Sequence, residues 1–142
     1  MSSQTTPQLS KSRFVGGLQC LKRLYLECYH RDLGDPIDAR QQAFFDSGTA
    51  VGELARQRFP DGRLVEEDYF EHAQAVRTTR KALGDRSAPA LYEAAFASEG
   101  IRIRADILSR NGRDAFDLIE VKSSTKVKPA YIPDVAIQLH VL

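Results

Sequence analysis

In the stretch DAFDLIEVKSS, residues 114–124, Glu120 and Lys122 interrupt an apolar alternation, and a further carboxylate, Asp106, stands upstream in IRIRADIL. Burying an unpaired charge is strongly unfavourable, so charges placed inside a strand pattern need a reason. Strand side chains alternate with period two. Ile101, Ile103, Ala105 and Ile107 therefore share one face, and Arg102, Arg104 and Asp106 the other. By the same rule Phe116, Leu118, Glu120 and Lys122 share a face opposite Asp117, Ile119 and Val121, which leaves Glu120 and Lys122 about 7 Å apart along the strand.

If the two strands pair through the turn Asn111–Arg113, a register pivoting near Gly112 brings Asp106 close to residues 118–120. Two converging carboxylates repel and raise a pKa unless a cation lies between them. A hard divalent ion relieves that repulsion, because Mg²⁺ and Mn²⁺ favour oxygen ligands and take one or two carboxylates, with water and phosphate oxygens completing the shell. A lysine beside such a site can position or help deprotonate an attacking water and neutralise charge developing on a phosphate. These are the parts of metal-assisted phosphodiester hydrolysis. The alternative is an edge strand whose polar face is solvated, with Glu120 and Lys122 as a surface pair worth about 0–1 kcal/mol.

Elements that would position these groups are legible around them. The chain has 142 residues, enough for one domain and short for two. Residues 1–8 are polar and expected to be disordered, and 9–142 to form a single domain. Leu18, Leu21, Leu24, Tyr25 and Cys28 stand at helical spacing and predict one helix of about three turns. RDLGDPID reads as a loop, Ala43 to Phe59 as a second helix closed by FPDG, and RLVEE as a short strand. DYFEHAQAVRTTRKALG predicts a third helix ended by Gly84. ALYEAAFA, IRIRADILSR and DAFDLIEVKSS then predict an antiparallel meander with short turns. From about Asp134 the chain returns to helical spacing and stops without a cap signal, as a domain incomplete at its C-terminus would.

Composition narrows the function classes. The net charge of +1 gives no global field for a polyanion, so contact with nucleic acid would rest on local clusters. Three exist: Lys11, Arg13, Lys22, Arg23 and Arg31; Arg77, Arg80 and Lys81; Lys122, Lys126 and Lys128. No run approaches the ~20 apolar residues of a membrane helix and the N-terminus has no signal-like segment, so the chain is expected in the cytoplasm. The two cysteines, Cys20 and Cys28, cannot close a four-cysteine metal site alone and are expected as buried apolar side chains.

An Asp followed across a hairpin by Glu-x-Lys resembles the PD-(D/E)XK nuclease superfamily. SKSRFVGGLQCLKRLYL, GTAVGELARQRFP, LYEAAF, RADIL, IEVKSSTKVK and DVAIQLHVL, in that order, are similar to a RecB-like bacterial family related to the CRISPR-associated RecB-type exonucleases. The resemblance runs from about Leu9 to Leu142. It implies an α/β fold with a restriction-endonuclease-like core, a mainly antiparallel mixed sheet flanked by helices. It further implies a Mg²⁺- or Mn²⁺-dependent deoxyribonuclease, with Asp106, Glu120 and the Val121 carbonyl on the metal and Lys122 as the catalytic lysine. Gln138 matches the glutamine of a Q-x-x-x-Y motif said to hold substrate and site together, with Leu142 where the tyrosine would stand. The family's metal-binding histidine falls at Gly52, and the adjacent Glu53 is the candidate replacement ligand, although one step turns a helical side chain about 100°. Cys20 resembles the first cysteine of iron–sulfur nucleases, whose other three lie beyond the nuclease motifs, so an iron–sulfur cluster is implied only for a longer protein. A nucleic-acid-binding or assembly module that has kept the fold and lost turnover is the alternative, favoured by Gly52.

Overall fold

A computed structural model describes residues 6–142. Of the expected N-terminal segment, residues 1–5 lie outside the described residues and Thr6–Gln8 have no regular structure. The chain is α/β: five strands form one open mixed sheet, flanked by five α-helices. β3 (Ala90–Ser98), β4 (Ile101–Arg110) and β5 (Phe116–Ile119) are the expected antiparallel meander. β2 (Arg63–Leu64), the short strand expected in RLVEE, lies parallel to β3. β1 (Leu9–Ser10) lies parallel to the start of β4. β4 is therefore central, and its far edge is shared by β1 at residues 101–102 and β5 at 107–110.

The alternation in β4 is borne out: Ile103, Ala105 and Ile107 are buried, while Arg102, Arg104 and Asp106 keep partial exposure. α4 (His72–Gly84) ends at Gly84 as expected and packs Ala82 with Leu91, Ala94, Ala105 and Leu108. Thr79 of the same helix is buried and donates no misfit to the sheet, because its hydroxyl accepts the Ala95 N–H at 2.8 Å. α5 (Tyr131–Val141) begins a few residues before Asp134, with Pro133 tolerated in its first turn.

Three expectations about the N-terminal third need correction. The single helix around Leu18–Cys28 is two, α1 (Lys11–Gln19) and α2 (Leu21–Tyr29), broken at Cys20, whose backbone is extended at φ −159° and ψ 112°. Gly16 and Gly17 are the physical reason. They are poor helix formers, and their missing side chains let α2 fold back so closely that a Cβ on Gly17 would meet Leu24 at 2.8 Å. Cys20 at this break is exposed and Cys28 partly so, neither being the buried side chain expected. α3 (Ala39–Arg56) begins earlier than Ala43, because Asp38 and Gln41 form a reciprocal capping box: Gln41 N–H donates to Asp38 Oδ1 at 2.7 Å.

Candidate active site

The pairing of β4 with β5 matches Ile107 to Ile119 and Leu108 to Leu118. One further step along that register sets Asp106 against Glu120, where the sequence placed them. β5 stops at Ile119, so Glu120, Val121 and Lys122 lie just past the strand's end. The Val121 N–H donates to Asp106 Oδ2 at 2.7 Å and ties this segment to β4.

Glu120 is the centre of the cluster. Its side chain is only 6% exposed, and both carboxylate oxygens are engaged. Lys11 Nζ donates to Oε1 and Oε2 at 2.9 and 3.0 Å, Lys122 Nζ to Oε1 at 2.6 Å, and Gln138 Nε2 to Oε2 at 2.8 Å. Lys122 also donates to Asp134 Oδ2 at 2.6 Å, so its ammonium bridges two carboxylates. Gln138 is fully buried on α5 and reaches back to the Asp134 carbonyl at 3.1 Å. It therefore positions Glu120 from behind and does not face a substrate.

The electrostatics follow from burial and these partners. Burial, and then the neighbouring Glu120 charge, push Asp106 up to about 6, against Lys11 and the Val121 N–H. Burial acts on Glu120 in the same direction, but the Lys11 ammonium and the hydrogen bonds from Lys122 and Gln138 outweigh it and hold Glu120 below the usual carboxylate range. Burial alone would push Lys122 down; its hydrogen bonds to Asp134 and Glu120 prevail and hold it well above the ordinary lysine value. Lys122 is thus an ammonium at neutral pH. It can stabilise negative charge and orient a water, but it does not take up a proton.

These groups open on a cleft of about 540 Å³ between the end of the sheet and α3, whose Gly48, Thr49 and Gly52 line the facing wall. Gly52 looks into open space, with nothing within 4 Å of an added Cβ. Glu53 is exposed and does not line the cleft. The step of one residue that separates it from Gly52 has turned it away from Asp106 and Glu120.

Three participants escaped the sequence reading. Lys11, at the start of α1, clasps Glu120 from a distant part of the chain, and nothing local announces it. Asp134 is 7% exposed and precedes Gln138 by one helical turn. Two polar residues stacked among Ile137 and Val141 were a readable signal of a buried polar network. Glu93 lines the cleft from β3, accepts a hydrogen bond from Arg56 at 3.1 Å, and has a left-handed backbone at φ 55°. The β3–β4 pairing steps over it, matching Tyr92 to Ile107 and then Ala94 to Ala105. Its charge also raises Asp106. In LYEAAF this glutamate reads as an ordinary outward strand residue.

Among the described residues no three His, Cys, Asp or Glu side chains converge on a metal-sized position. The donors do fit a hard cation that keeps most of its water: two carboxylates in register, one of them resisting ionisation. In addition, Asp106 Oδ1 and the Val121 carbonyl accept no hydrogen bond among the described residues. For Glu120 to contribute, Lys11 must yield one of its oxygens. No helix among the described residues is long and apolar enough to cross a membrane. Compared with protein-family models, characterised proteins and solved structures, the chain matches none.

Proposed function

We propose that the chain is a metal-dependent nuclease that hydrolyses DNA phosphodiesters, as its resemblance to the PD-(D/E)XK nucleases implies. The observation that carries this reading is the register that sets Asp106 beside Glu120, with Lys122 bonded to Glu120 at the mouth of one cleft. Asp106, Glu120 and the Val121 carbonyl would hold Mg²⁺ or Mn²⁺. Such an ion supplies Lewis acidity toward a phosphoryl oxygen and a more acidic water. Lys122, held as an ammonium, faces charge developing on the phosphate and orients the incoming water. Gln138 and Asp134 fix Glu120 and Lys122, and Arg56 holds Glu93 at the rim. Glu53, away from the cleft, has no part in this arrangement.

A second reading is favoured by one observation: Lys11 occupies both oxygens of Glu120, so the carboxylates are already neutralised by lysines. A nucleic-acid-binding module that has lost turnover would retain such a closed network. Incubation of the chain with labelled DNA in Mn²⁺ or Mg²⁺ separates the two. Cleavage that disappears with EDTA and in Asp106→Ala supports the nuclease. Binding without cleavage, or cleavage unchanged in Asp106→Ala, rejects it.

A further inference from the structure

The cleft at Asp106 does not end there. A cavity of about 260 Å³ shares Lys11, Glu93 and Asp106 with it, and shares Ser10, Ser12, Tyr69 and Arg102 with a third cavity of about 370 Å³. Through these shared walls the three cavities adjoin in series from the carboxylates, past the first turn of α1, to the loop after α2.

The far cavity has a pronounced charge. Arg13, Arg23, Arg31 and Arg102 line it against a single carboxylate, Glu27, which is held by Arg23 at 2.6 Å. The remaining three arginines have no carboxylate partner among the described residues. Among the described residues Arg13 donates only to the Gln8 and Glu27 carbonyls, and Arg31 makes no side-chain hydrogen bond. Arg102 rests on the Tyr69 ring at 4.7 Å and donates to its hydroxyl at 3.0 Å. The three guanidiniums without a carboxylate leave the cavity with positive charge that a bound anion would neutralise. Guanidinium forks match phosphate oxygens in pairs, and the cavity lies within the size range of ligand pockets. Tyr69 offers an aromatic face of the kind on which bases stack.

We propose that this arginine-lined cavity seats a backbone phosphate of the nucleic-acid strand whose scissile bond lies at Asp106 and Glu120. The proposal rests on the nuclease reading and adds the direction in which the strand runs: from the carboxylates, between α1 and Tyr69, to Arg31. Arg31 and Arg102 would supply binding without taking part in bond cleavage.

The test is fluorescence anisotropy of a labelled single-stranded oligonucleotide on the full chain in EDTA, where no metal-dependent cleavage occurs, over a range of NaCl. Arg31→Ala, in an exposed segment where misfolding is not at issue, should weaken binding by about 5–10-fold. It should also lower the slope of log Kd against log salt by about 1. Adding Arg102→Gln, with folding checked by circular dichroism, should weaken it further. Arg113→Ala, exposed in the turn between β4 and β5 and outside these cavities, should leave both quantities unchanged. Inorganic phosphate should compete with the oligonucleotide in the wild type. Wild-type affinity and salt slope in the double variant would overturn the proposal. So would loss of phosphate binding with oligonucleotide binding intact, which would assign the cavity to a free anion. Arginine-dependent binding in a chain that cuts nothing would sink the hydrolase reading and keep the phosphate seat; cleavage with binding indifferent to both arginines would do the reverse.

Discussion

The two walls of the cleft are built differently. On the sheet side, β3, β4, β5 and α5 hold Asp106, Glu120 and Gln138 among fully buried residues such as Leu91, Ile103 and Ile107. On the opposite side, α3 has no buried residue at all, and Phe44, Phe45 and Leu54 are exposed along it. What ties α3 down is its C-terminal end, where Ala55 and the following Phe59 pack against Ala90, Tyr92 and Ile107. The Tyr92 hydroxyl donates to the Arg56 and Phe59 carbonyls there. A side chain on the sheet wall is therefore placed by packing on every side, as a site that must hold its geometry requires. On α3, Ser47, Ala55 and Arg56 reach the sheet side, through Ser123, the Tyr92 cluster and Glu93, whereas Glu53 is placed by helix periodicity alone. This is why a shift of one residue, from Gly52 to Glu53, moves a carboxylate out of the cleft with nothing to draw it back.

Substitutions on the two walls should differ accordingly. The largest expected effect is on the sheet wall. Lys122→Met should lower metal-dependent cleavage by about 10²–10³-fold, the loss typical of a group that stabilises developing charge, while Glu53→Gln on α3 leaves the rate unchanged. Rates would be measured beside melting temperatures, because Lys122 also compensates the buried Glu120 and Asp134. Equal losses in the two variants would erase the distinction between the walls.

Glycines provide a smaller, purely structural contrast. A Cβ at Gly62 would collide with the Tyr92 ring, so Gly62→Ala should destabilise the fold by about 1–3 kcal/mol in urea denaturation. Gly52 in α3 faces open space, and Gly52→Ala should instead stabilise by up to about 1 kcal/mol through helix propensity. Opposite signs are the prediction; two losses of similar size would show α3 to be packed as tightly as the sheet.

The fold was legible wherever local pattern and tertiary role agree. The alternation in IRIRADIL and the turn at Gly112, whose φ of 85° suits glycine, gave β4, β5 and the Asp106–Glu120 register. The helix over 18–28 was misread because apolar spacing continues through Cys20, while the break there depends on the close approach of α2 to Gly16 and Gly17, a tertiary contact. The site divides in the same way. Asp106, Glu120 and Lys122 announce themselves as charges inside a strand-like sequence pattern, although Glu120 and Lys122 fall just past the end of β5. Lys11, by contrast, joins them only because β1 lies against β4 and starts α1 beside Glu120.

Acidity sharpens the contrast within the sheet wall itself. Asp106 binds a proton more tightly in the folded chain, at about 6, than its ordinary value of 3.8. Between those values the native state carries more protons than the unfolded one, so this group makes stability fall as pH rises through the window. Asp106→Asn, in EDTA, should remove that dependence and stabilise the chain near pH 7 by about 3 kcal/mol. Urea midpoints measured from pH 4 to 7.5 would show it, and parallel curves for the two proteins would contradict the assigned shift. Lys11→Met carries the smallest expected effect, a modestly tighter Mn²⁺ affinity by calorimetry, because it removes one of the two hydrogen bonds on each oxygen of Glu120.

The most direct test of the central claim is a calorimetric titration of Mn²⁺ into the wild type and into Asp106→Asn. The account predicts saturable heat in the wild type, with a rise in melting temperature at saturating metal, and loss of both in the variant. Absence of heat in the wild type, or the same isotherm in Asp106→Asn, would contradict a cation site at Asp106 and Glu120.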